Sequence, residues 1–142
     1  MDELLEIREF ITAGRYSDAL LLIDDLDEMA KDDKFHKIRS FSLILLIHLI
    51  KQSAENRTTK SWDNSIKNAV EEIQLTNNRR NAKGFYASED ELKEIIENAY
   101  KSALRYASQE AFGGVYSDIQ LGAMIDKQQV LDKAFELTQI VE

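Results

Sequence analysis

His48 is one of only two histidines in the chain, and Lys51 follows it three residues later. On a helix that spacing puts both side chains on one face. An imidazole changes charge near neutral pH, so His48 is a candidate general base. Glu110, which follows a run of regularly spaced alanines, is the candidate acid. Each has a packing alternative. His48 also fits a histidine hydrogen-bonded within a helical interface, and Lys51 suits a helix C-terminus, where cations are favoured. Glu110 also fits a structural carboxylate paired with Lys51 or Arg57.

A second set of residues has the chemistry of a metal site. Asp24, Asp25, Asp27 and Glu28 crowd one short stretch. Asp24 and Glu28 are four apart, and Asp25 and Glu28 three apart, so each pair shares a helix face. Hard divalent cations take oxygen ligands of this type. Asp25 and Asp24 with Glu28 are therefore the candidate metal ligands, against the alternative of a solvated acidic face. Asp33 and His36 give a single D-x-x-H. A di-iron bundle needs Glu-x-x-His on two helices. With two histidines and no E-x-x-H, that architecture is excluded.

Trp62 is the only tryptophan. It is a candidate stacking or interaction residue, or a packing anchor whose N–H seeks a carbonyl. Ser61 beside it reads as a helix N-cap, because no G-x-S-x-G context marks it as a nucleophile. Arg79, Arg80 and Lys83 stand close to Phe85 and Tyr86. Cations mixed with aromatics are the composition of a single-stranded nucleic-acid platform. The net charge of −8 argues against broad nucleic-acid binding, which needs a lysine and arginine surface. A surface loop or protein contact is the expected reading.

These residues must be positioned by helices. The 142-residue chain is the size of one domain, so residues 1–142 are expected to form a single helical domain. It has no cysteine, which excludes disulfides and thiolate metal sites, and no proline, which suits helix interiors. The opening MDELLEIREF carries acids early and lacks a long apolar core, so no signal peptide is expected and the cytoplasm is the default location. The most apolar run, FSLILLIHLI at 41–50, is half the length of a membrane span. No membrane partner is expected.

The periodicity predicts about six helices in a compact all-α bundle. Leu4, Leu5, Ile7 and Ile11 mark the first, stopped by Gly14. A second begins near Ser17 and carries Ala19, Leu22, Ile23, Leu26, Met29 and Ala30. This pair is slightly similar to one tetratricopeptide unit, but no second copy follows at that period. Asp32-Asp33 are expected to open a third, central helix reaching about Ala54. ENRTTK at 55–60 reads as a loop, and a fourth helix starts near Ser61. A long loop is expected over 76–87. Ser88 and Glu91 then form a capping box for a fifth helix. Ala99, Ala103 and Ala107 line that helix as a strip where another helix can come close, and Gly113-Gly114 end it. Residues 115–125 show no clear pattern. Asp126 caps a last helix with Val130, Leu131, Ala134, Leu137 and Val141.

Read in order, LIDDLDEM at 22–29, HLIK at 48–51, SWDNSI at 61–66 and AYKSA at 99–103, with Glu110 following, form a pattern. It resembles the helical family called domain of unknown function 29, over roughly residues 16–132. Members show an acidic helix, a long helix ending H-L-L-K, a polar loop, S-W opening an amphipathic helix, and A-Y-x-x-A with a later acid. The loop after Lys51 departs from the family in lacking proline and keeping only Arg57 and Lys60. The resemblance implies a helical bundle and no particular activity.

No coherent catalytic constellation or cofactor motif emerges, and no cofactor is expected. The leading expectation is a non-enzymatic module that self-associates or binds another protein, with Trp62, Tyr100, Ala103 and Lys51 as interaction residues. The alternative is a metal-dependent hydrolase or nuclease-like enzyme. It would use His48, the acidic helix and Glu110 in one cleft. The interaction reading requires an exposed apolar patch larger than a monomer usually tolerates.

Overall fold

Local chemistry at the helix ends sets the architecture. The computed structural model describes residues 2–79 and 84–140. α1 (Glu3–Thr12) is capped by Asp2, whose carboxylate accepts the Leu4 N–H at 3.0 Å. It stops where Gly14 takes φ +75°, and the Arg15 N–H then donates to the Phe10 carbonyl at 2.7 Å. The Arg15 guanidinium pins the turn by covering the Phe10 ring and bonding Asp18 at 2.8 Å.

α2 runs from Tyr16 to Glu55 as one 40-residue helix, which corrects the expected start at Asp32-Asp33. The stretch between Ala30 and Phe35 holds no glycine or left-handed residue to stop a helix. Aspartate in a helix interior costs at most about 0.7 kcal/mol per residue, too little to break a continuous hydrogen-bond ladder. The stop comes at Asn56, which takes φ +51°. Asparagine tolerates that left-handed conformation better than most residues.

α3 (Lys60–Asn77) is capped by Thr59 rather than the expected Ser61, and its hydroxyl accepts the Trp62 N–H at 3.1 Å. α4 (Glu89–Glu110) begins with the predicted Ser88–Glu91 capping box. A 3₁₀ turn (Ala111–Gly114) follows. α5 (Asp118–Ala123) occupies the stretch without a clear pattern. It has its own capping box, Ser117 with Gln120, an S-x-x-Q signal as legible as the one before α4. α6 (Lys127–Leu137) is capped by Asp126. Val141 lies outside the described residues.

Among the described residues the chain is all-α, with no strand beyond an isolated antiparallel bridge, Asn78 with Phe85. That bridge closes the 76–87 connection. Asn77 reinforces it from a buried position. Its side chain accepts the Ala87 N–H at 2.7 Å and donates to the Ala87 carbonyl at 3.1 Å.

The chain divides into two compact units, Met1–Lys34 and Phe35–Glu142. Among the described residues of the first, only Ala19 is buried. The second is a helical bundle with one core. Ile38, Leu45, Leu46, Leu49 and Ile50 of α2 meet Ile66, Ala69 and Ile73 of α3, with Leu92 and Ile96 of α4. Leu121 of α5 and Leu131 of α6 complete it. The apolar 41–50 run is thus the central helix segment expected from its composition.

Candidate functional site

Within the second unit, the ends of three helices gather most of the singled-out side chains. Lys51 is near the end of α2, Trp62 in the first turn of α3, and Glu110 at the end of α4. The Lys51 residue is only 8% exposed. Its Nζ lies 3.3 Å from Glu110 Oε2 and 4.8 Å from the centre of the Trp62 ring. Arg57, in the α2–α3 connection, covers the same ring at 4.6 Å. The expected pairing of Glu110 with Lys51 or Arg57 is therefore made with Lys51.

Arg57 instead pairs with Glu55, through Nε at 3.0 Å and Nη2 at 2.9 Å. The other oxygen of Glu55 accepts the Phe112 N–H at 3.3 Å. Phe112 has φ +51°, a left-handed conformation unusual for a bulky residue, and its ring meets Tyr116 edge-on at 5.4 Å. Asp63 closes the connection by accepting from the Thr58 hydroxyl at 2.7 Å and from Gln52 Nε2 at 3.3 Å. Two cations and two carboxylates balance around one indole. The cluster clasps α2, α3 and α4 together.

His48 is half-buried, and its Nδ1 lies 2.8 Å from the Ile44 carbonyl one turn back. That bond orients the ring on its own helix. Among the described residues, no hydrogen bond or ion pair joins His48 to Glu110. Asp24, Asp25 and Glu28 belong to the first unit and are exposed. The described residues contain no group of three or more His, Cys, Asp and Glu able to hold a metal ion.

The alanine strip is an internal packing face. Ala99, Ala103, Ala107 and Ala111 are all buried. Tyr100 is buried beside them. Burial pushes its phenol pKa above the usual 10, and the charge of Asp126 adds to the rise. Lys127 Nζ lies 5.1 Å from the centre of its ring. In the 76–87 connection, Arg79 covers the Tyr86 ring at 5.5 Å. Arg80 and Lys83 lie outside the described residues.

The order of these segments is also the order of a known family. The model of the domain of unknown function DUF29 matches residues 15–136. The chain belongs to this family. The DUF29 region takes in the acidic stretch of α2, Lys51, Trp62, Tyr100 and Glu110, and leaves out α1. Three of the positions that carry the resemblance, Lys51, Trp62 and Glu110, are the ones the clasp brings together. No curated protein and no solved structure matches the chain. Among the described residues, no helix is long and apolar enough to cross a membrane.

The first unit shows a feature that whole-chain composition conceals. Residues 1–34 carry 11 acids against 4 Lys and Arg, a net −7 of the chain's −8. The same unit leaves large apolar side chains in solvent. Leu4, Leu20, Leu21 and Met29 are all at least 60% exposed. Leu5, Ile11 and Ile23 are exposed as well.

Proposed function

We propose that this DUF29 chain is a non-enzymatic protein-interaction module that docks through its N-terminal unit. The observation that carries this reading is a 34-residue unit in which Ala19 alone of the described residues is buried while seven leucine, isoleucine and methionine side chains are exposed. Scattered apolar residues are ordinary on a surface, whereas a concentration of them marks a contact site. The excess negative charge of the unit selects the partner. Self-association through this face would set −7 against −7, and like-charge juxtaposition opposes binding. A cationic amphipathic helix from another protein satisfies both requirements. Its apolar stripe covers the leucines, and its Lys and Arg meet Asp24, Asp25 and Glu28. On this reading those acids are interaction residues, and Lys51, Trp62 and Glu110 hold the scaffold. The cysteine-free composition fits a reducing location such as the cytoplasm.

The test uses the full chain and three labelled helical peptides of equal length, followed by fluorescence anisotropy. One alternates Leu stripes with Lys, one replaces the leucines by Ser, and one replaces the lysines by Glu. The Leu/Lys peptide is expected to bind roughly tenfold or more tighter than either control, with affinity falling as salt rises. L20S/L21S and D24N/D25N/E28Q should each weaken it. Equal binding of the Leu/Lys and Ser/Lys peptides would reduce the effect to bulk charge and overturn the proposal. So would full affinity in both variants. A dimer in sedimentation that L20S/L21S dissolves would replace the heterologous partner by a second copy.

A further inference from the structure

The second unit carries a cationic hollow that neither the clasp nor the docking unit accounts for. It lies between α2 and α4, with a volume of about 220 Å³. Ala99 lines it, and the small side chain leaves the space that a leucine at this position would fill. Arg39 from α2 and Arg105 from α4 face it from two sides, with His36, Ser102 and Tyr106 at its walls. No carboxylate lines the hollow. Arg15 and Arg57 each have a carboxylate partner, but among the described residues neither Arg39 nor Arg105 has one. The second unit as a whole is nearly neutral, with 15 acids against 14 Lys and Arg, so two unpaired guanidiniums at one hollow are not a consequence of composition.

Hydroxyl donors stand beside the two guanidiniums. The Arg105 guanidinium is steadied over the Tyr106 ring at 5.3 Å. The half-buried Ser102 hydroxyl has no protein partner among the described residues. Guanidinium groups match the oxygens of phosphate by paired N–H donors, and hydroxyls complete the shell. Size restricts the ligand further. The hollow is below the roughly 300 Å³ at which pockets for drug-sized ligands begin. Its interior suits a group of a few heavy atoms.

We infer that the α2–α4 hollow is a binding site for a small phosphate-class anion, either inorganic phosphate or the phosphoryl group of a small monoester, held by Arg39 and Arg105. The site is independent of the docking unit and of the clasp.

Isothermal titration of the full chain at constant ionic strength tests it, with inorganic phosphate, glycerol phosphate and acetate as separate titrants. Both arginines are exposed, so R39Q and R105Q retain the fold, which circular dichroism checks. R8Q, in the first unit, is the control. Saturable binding of phosphate or glycerol phosphate, weakened roughly tenfold by R39Q and by R105Q and kept by R8Q, supports the site. Tighter binding of the ester assigns the ligand to an organic phosphate, and equal or weaker binding to free phosphate. Absence of saturable binding overturns the inference. So does binding that both variants retain, or acetate binding as tight as phosphate.

Discussion

Glu110→Gln removes the carboxylate from a lysine that is 10% accessible and leaves the indole as its main neighbour. At the observed 3.3 Å, two unit charges attract by about 1.3 kcal/mol in the dielectric of water and about 5 kcal/mol at an effective constant of 20. Glu110 is 59% accessible, so solvent reaches one end of the pair and the lower figure governs. The expected coupling is about 1 kcal/mol, and Glu110→Gln should cost about 1–2 kcal/mol because a mostly buried ammonium loses its partner. Lys51→Met keeps the buried stem against Trp62 and removes the desolvated charge. It should cost under about 1 kcal/mol. Urea unfolding of the parent, both single variants and the double variant gives the coupling directly. Repeating the cycle at about 0.5 M salt should shrink it, since the Debye length there is only about 4 Å. Additivity within about 0.3 kcal/mol would refute the clasp as an electrostatic unit. A Lys51→Met cost above about 3 kcal/mol would show that the charge has a second obligatory partner.

Gly114→Ala should destabilise more than Gly14→Ala, although both sit at positive φ. A Cβ at 114 would meet the Gln109 carbonyl oxygen at 2.8 Å, whereas at 14 nothing lies within 4 Å. Gly14→Ala should cost about 1 kcal/mol for the left-handed backbone alone, and Gly114→Ala more than about 2, as read by thermal unfolding. Tyr100 sets an alkaline limit. In the unfolded chain its phenol ionises near 10, whereas burial and then Asp126 keep it protonated to higher pH when folded. Above about pH 10 the unfolded state has therefore lost more protons, and stability falls as pH rises. Tyr100→Phe should remove that contribution and flatten urea midpoints measured between about pH 9 and 11; an unchanged slope would contradict it. In native-state hydrogen exchange, α1 amides should exchange faster than those of α4. A ten-residue helix with no buried residue is below the roughly 12–15 residues at which isolated helices become marginal. Equal protection would show that α1 is held by contacts its burial does not reveal.

Much of the fold was legible because its signals are local. Gly14, the Ser88–Glu91 box and Asp126 each act within one helix turn, and all three mark ends where they stand. Asp32-Asp33 misled because an acidic pair is favourable at a helix start without being sufficient for one. No stop signal stood before it, so α2 continued to Asn56. Thr59 outcompeted Ser61 as a cap, and both are cap residues by type, so composition could not choose between them. The site was legible in part. The pairing of Glu110 with Lys51 followed from sequence order and charge. The second pair, Glu55 with Arg57, links to the Phe112 N–H in the turn after α4; Gly113-Gly114 announced that turn, but nothing marked Phe112 for its left-handed conformation. Arg39 and Arg105 stand 66 residues apart. Only the packing of α2 on α4 brings them to one hollow.

Charge gives the last step. A net −8 spread over 142 residues reads as a soluble surface and points to no particular site. Partitioned between the units, it becomes −7 on 34 residues and −1 on the remaining 108. The second unit has a continuous core, capped helices and a balanced clasp. The first has one buried residue among those described and is below the roughly 40 residues at which chains fold alone without staples, metals or association. A solvated acidic face would need no leucines, and a packing face would need no excess of acids. Both together, on a unit with a single buried residue among those described, are the grounds on which we propose a cationic, apolar partner in preference to a second copy.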